Sequence, residues 1–200
     1  MKNNLPSELE NIISLLKELP GIGQRGAERM IFSILKWPPE KIKVLGKAIS
    51  GIPENIKKCK LCGNISEEQI CTICTSQSRD DSFICIVEDF IQIPHIEKTN
   101  YKGKYHVLEG KLSPLDNIGS ENLTIKPLIQ KIKNNPNLKE VIIALSQDIE
   151  GQATTIYLAN LLNELNIKVS TLAKGIPAGA DISFANSATL TAAINGRTAL

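Results

Sequence analysis

The chain has 200 residues, a net charge of +2 and 42% apolar residues, enough for one or two compact domains with a real core and too apolar for wholesale disorder. No apolar run reaches membrane-spanning length, and Glu8, Glu10 and Glu18 stand where a signal core would lie, so we expect a cytoplasmic protein with no membrane partner. Charge is uneven: residues 1–60 hold 11 Lys/Arg against 6 Asp/Glu, whereas residues 61–200 hold 12 against 15. A basic amino-terminal part fits a localised polyanion contact, and by charge alone it fits a solvated lysine-rich surface equally well.

Helical spacing of Leu9, Ile12, Ile13, Leu16 and Leu19 predicts a first helix over 7–19, with Ser7 and Glu10 placed for a capping box. Leu19-Pro20-Gly21-Ile22-Gly23 breaks it. A second helix places Ala27, Met30, Ile31, Ile34 and Leu35 on one face and ends at Pro38-Pro39, and a third runs from about Glu40 to Ile49. From Ser82 the pattern changes to short buried-strand runs at 83–87, 105–108, 141–145 and 169–172, with helical stretches at 125–132 and 153–165. This alternation predicts a three-layer α/β domain on a mostly parallel sheet, beside a small helical amino-terminal domain.

Two short helices joined by Pro-Gly-Ile-Gly have a specific use. Gly21 and Gly23 let a phosphate approach the backbone, the second helix aims its free amides at it, and Arg25 and Arg29 share one face beside it. None of these groups reads bases, so this reading gives sequence-independent DNA contact. The competing reading is an ordinary helix pair with a glycine turn.

Cys59, Cys62, Cys71 and Cys74 form C-x2-C-x8-C-x2-C, the pattern of four thiolates closing a tetrahedron around one structural Zn2+ per chain. A redox dithiol or disulfide pair is the alternative. Cys85 lies inside an apolar strand and reads as a core thiol. Glu88 follows one strand, and Asp148 and Glu150 follow another, which is where sites form in open α/β sheets. Ser146 and Gln152 occupy the positions that would strengthen an ion site, so carboxylates standing in solvent or meeting a partner are the favoured reading over catalysis.

Taken in order, Leu19–Gly23, the four cysteines, Val87-Glu88, Leu112-Ser113-Pro114-Leu115-Asp116-Asn117-Ile118-Gly119, Glu150–Thr154 and Gly175–Gly179 resemble the bacterial recombination mediator RecR family along essentially the whole chain. The resemblance implies a helix-hairpin-helix domain at 1–53, a zinc element at 54–78, a Rossmann-like Toprim domain at 79–174 and a carboxyl-terminal assembly segment at 175–200. It further implies a homo-oligomer, a tetrameric ring able to encircle single- or double-stranded DNA. Such a ring would work at the nucleoid with RecO, and in many bacteria RecF, to load RecA onto single strands coated by single-stranded DNA-binding protein. By motif position Arg25 and Arg29 match the family's DNA-contacting residues. Departures are Ser146 where the Toprim Asp-x-Asp begins, Gln152 in place of Glu, Asn117 in place of Gly, and the stretch Ala180–Phe184. They argue against the alternative, a Toprim-type metal-dependent nuclease or primase. A topoisomerase would need an attacking tyrosine, and a zinc-containing transcription regulator a base-reading helix.

Overall fold

The computed structural model describes residues 5–198, which divide into one unit ending at Asn55 and a second beginning at Ile56. The first unit is helical: α1 (Ser7–Lys17), α2 (Gln24–Ile34), α3 (Pro39–Ser50) and the single turn α4 (Ile52–Asn55). Its core is small, with Ile13, Ala27 and Ile31 buried against Leu9, Leu16, Ile22 and Ile34. The expected second-helix face is therefore partly realised, because Met30 and Leu35 are exposed. The expected capping box is not formed. Ser7 is already inside α1, Pro6 takes the cap position, and no side chain caps the helix.

The second unit opens with the hairpin β1 (Lys57–Lys58) and β2 (Ile65–Ser66), followed by the turn α5 (Thr72–Thr75). Then come β3 (Asp80–Val87), α6 (Ile93–Glu97), β4 (Gly103–Val107), α7 (Ile125–Lys133), β5 (Glu140–Ile143), α8 (Ile149–Asn163) and β6 (Lys168–Thr171), and α9 (Ser187–Asn195) follows. The sheet order is β4-β3-β5-β6 and every pair is parallel, as the buried strand runs predict. Strand alternation sends Ile84, Ile86, Val141 and Ile143 to one face, beneath Leu128 and Ile132 of α7 and Leu158 and Leu162 of α8. Cys85, Val87, Tyr105 and Val107 face the other way, where the short α6 with its approach and Ile73 of α5 pack against them. One outer layer is thus much thinner than the other.

Two positions of this sheet matter for the sites. The carboxyl ends of β3 and β5 lie side by side, so Glu88 and Ser146 become neighbours. Strand β4 is a sheet edge, and the cysteine element lies against it: Val107 N–H donates to the Cys62 carbonyl at 2.7 Å.

Candidate zinc centre and nucleic-acid interface

The first cysteine pair sits at the tip of the β1–β2 hairpin, where Gly63 N–H donates to Cys59 O at 2.9 Å and Gly63 adopts φ +78°. The second pair flanks α5, whose cap is Cys71 and whose body contains Cys74. The four Sγ atoms lie within 4.8 Å of one another, with Cys62 and Cys71 at 3.6 Å. A tetrahedron with Zn–S bonds of about 2.3 Å has S···S edges of roughly 3.8 Å, so the pocket is already the size of the ion's coordination sphere. Cys59, Cys62 and Cys71 are buried and Cys74 is partly so. As free thiols they share protons unevenly: Cys62 is pushed up by its hydrogen bond to Cys74 and by burial, and Cys74 is drawn down to about 5 by the same bond. A divalent cation is what allows four such crowded thiols to ionise together. Cys85 is elsewhere, buried in the sheet, with burial pushing its thiol up to about 12.

In the amino-terminal unit, Gly21 has φ +81°, a left-handed turn that suits glycine, with nothing within 4 Å of where a Cβ would stand. Gly23 is different. It is the α2 cap in ordinary extended backbone, φ −89° and ψ 175°, so only the open space around it uses the missing side chain. Arg25 and Arg29 are both exposed on α2, and no acidic residue occupies the helix's first turn.

The carboxylate corner is already occupied by protein groups. Glu88 accepts from Ser146 Oγ at 2.6 Å and from Ser146 N–H at 3.3 Å. Asp148 caps α8 by accepting from Gly151 N–H at 2.7 Å. Between them stands the Lys111 ammonium, 2.5 Å from Asp148 and 3.7 Å from Glu88. That contact holds the Asp148 carboxyl below its usual range and raises Lys111, with the Asp148 bond the largest cause in Lys111's case too. Gln152 is turned away, donating to Gln147 O at 2.7 Å. Glu150 is half-buried in the first turn of α8.

Against known families, residues 9–52 match the RecR helix-hairpin-helix, 56–76 the RecR four-cysteine zinc finger domain, 82–173 the Toprim domain and 175–198 the RecR carboxyl-terminal region. The chain is 41% identical over 196 residues to Recombination protein RecR of Lactobacillus acidophilus, covering 98% of both chains. It is 37% identical over 193 residues to the Recombination protein RecR of Myxococcus xanthus, covering 96% of this chain and 98% of that one. The chain belongs to the RecR family. Cys59, Cys62, Cys71 and Cys74 are accordingly the ligand set of its zinc finger.

Within this RecR-family chain, the string Leu112–Gly119 folds into a closed loop. Ser113 and Ile118 exchange backbone hydrogen bonds at 3.0 and 2.9 Å, and Ser113 Oγ donates to Asp116 at 2.7 Å. Asn117 takes φ 55°, a region asparagine tolerates better than most residues. Lys111 is the site residue that sequence reasoning missed. Its position just before this loop was the available signal, because the loop anchors back on α8 through Leu112 N–H and Thr154 Oγ1 at 2.9 Å.

Proposed function

We propose that this chain is a DNA-binding clamp subunit without catalytic activity that acts in recombinational DNA repair in the cytoplasm. With RecO, and with RecF where it is present, it helps load RecA onto single strands coated by single-stranded DNA-binding protein. The observation that carries the reading is the end-to-end match to proteins named Recombination protein RecR, with all four family regions in order. The working parts are a DNA-binding region at 1–53, a zinc element at 54–78, a Toprim region at 79–174 and an assembly segment at 175–200.

DNA contact falls to Arg25 and Arg29, with Gly21 and Gly23 leaving the backbone open to a phosphate. These groups meet the sugar–phosphate chain and not base edges, so unrelated single- and double-stranded sequences bind alike. Assembly into a ring of four falls to the carboxyl-terminal segment, which exposes apolar Ile182, Phe184 and Ile194. The carboxylate corner is a docking face for a basic surface of RecO. Glu150 and the outer side of Asp148, whose side chain is 45% exposed, carry its charge, while Glu88 supports the corner from beneath.

The alternative, a metal-dependent nuclease or primase, meets a corner in which Ser146 and Lys111 already engage the carboxylates. The test is a binding assay on both DNA forms, with and without magnesium, that also monitors cleavage. Sequence-independent binding without cleavage is expected, and magnesium-dependent turnover would overturn the non-catalytic reading.

A further inference from the structure

We propose that Lys131 is the counter-ion and anchor of the four-cysteine centre, through which zinc occupancy controls the order of the β4 edge of the sheet. Lys131 lies in the last turn of α7, and its ammonium donates to two carbonyls from separate segments. One is Leu61 O at 3.2 Å, inside the first cysteine knuckle; the other is Tyr105 O at 2.8 Å, on β4. In a parallel edge strand, alternate residues turn both N–H and C=O away from the sheet and leave them without strand partners. In β4 Tyr105 and Val107 are two such residues: Cys62 O of the cysteine element accepts from Val107 N–H, Thr124 Oγ1 donates to Val107 O, and Lys131 of α7 bridges Tyr105 O to the knuckle.

Charge explains why a lysine fills this role. Four thiolates around a divalent ion carry a net charge of −2, and a largely buried ammonium is costly unless something opposite in sign stands near it. Lys131 shares with Cys74 and Leu61 the wall of a cavity of about 550 Å³, and its ammonium reaches the knuckle at Leu61 O. Lys104 and Lys60, in the same wall, are the like charges it faces. With zinc bound, Lys131 offsets part of the excess negative charge. Without it, the four thiols are no longer fixed around one ion, and the knuckle loses its hold on β4. Groups that orient metal ligands in this way commonly change metal affinity by about 10–100-fold when removed.

The test uses the zinc-loaded full-length chain and compares Lys131→Met, Lys131→Gln and Lys131→Arg. Zinc transfer to a chromophoric chelator should be at least about 10-fold faster in the Met and Gln variants and near wild type in the Arg variant. Amide exchange at Val107 should quicken in the Met and Gln variants while amides of Val141 and Ile143 on β5 keep their protection. A wild-type release rate in Lys131→Gln, or equal loss of protection across β4 and β5, overturns the proposal. Stripping zinc from the unmutated chain is an independent arm: Val107 exchange must rise, and an unchanged rate there sinks the coupling even if no variant folds.

Discussion

His106 shows at the level of one residue how a buried polar group sets a pH dependence. Thr124 Oγ1 donates to Val107 O at 2.6 Å, so its oxygen can only accept from the imidazole; Thr124 O, also 2.9 Å from Nε2, is an acceptor too. Nε2 therefore carries the proton, and among the described residues Nδ1 has no partner. A second proton would land on that unpaired nitrogen in a buried site near Lys131. Burial first, and the Lys131 charge second, accordingly push the imidazole down to about 4. Between the unfolded value of about 6.5 and this folded value, the unfolded chain binds the extra proton, so stability falls as pH falls through that window and levels off below it. Urea unfolding at pH 7 and pH 5 should show roughly 2 kcal/mol more loss in the wild type than in His106→Gln. Equal losses in both would mean His106 does not drive this part of the acid sensitivity. Gly151 supplies a second residue-scale test. A Cβ there would lie 2.0 Å from Ser146 O, so Gly151→Ala must push α8 off the corner; we expect a cost of about 1–3 kcal/mol in urea unfolding with zinc content unchanged. An unchanged midpoint would show that the corner is looser than its contacts imply.

Among the elements, legibility follows locality. The zinc ligands can be read because each CxxC pair closes within one turn, and the strands because they are short apolar runs, well buried in β3 and β4 and less so in β5 and β6. The apolar pattern starts helix α8 at Ala153, whereas the helix begins at Ile149 under the Asp148 cap. Its buried residues, Gly151, Thr154, Leu158 and Leu162, keep helical spacing, but Ile149, Ile156 and Tyr157 lie exposed around it, so apolar residues occur on all sides and blur the period. Lys111 is legible only through its place before the Leu112–Gly119 loop, because its partners are set by the juxtaposition of separate strand ends. The helix-hairpin-helix is an element whose use is testable by salt. If Arg25 and Arg29 each neutralise one phosphate, Arg25→Ala with Arg29→Ala should weaken binding alike on unrelated duplexes and flatten the log–log salt slope by roughly two units. Both arginines are exposed and outside the buried cluster of this unit, so the variant should keep its helical content. A folded double variant with unchanged low-salt binding would remove this hairpin from the DNA surface.

For the whole molecule the decisive question is whether a Toprim sheet here does chemistry. A two-ion site needs several carboxylates converging on the same small volume to hold two cations against their mutual repulsion. In this chain the β3 and β5 ends bring together Glu88 and Asp148, but Ser146 occupies both Glu88 oxygens, Gly151 N–H takes one Asp148 oxygen, and Lys111 takes the other. A cation entering the corner would have to displace an ammonium already held by both carboxylates. Tyr105 is equally poorly placed for attack: it is fully buried, with its hydroxyl donating to Glu97 at 2.6 Å, and burial raises its phenol well above the ordinary range. We therefore expect no DNA cleavage, primer synthesis or strand passage by the intact chain in magnesium or manganese. Lys111→Ala removes the resident cation without adding a carboxylate, so it too should remain inactive while zinc stays bound. Metal-dependent cleavage by the wild type that disappears in Glu88→Gln would establish a catalytic Toprim corner. Cleavage appearing only in Lys111→Ala would instead show that one lysine silences an otherwise competent site.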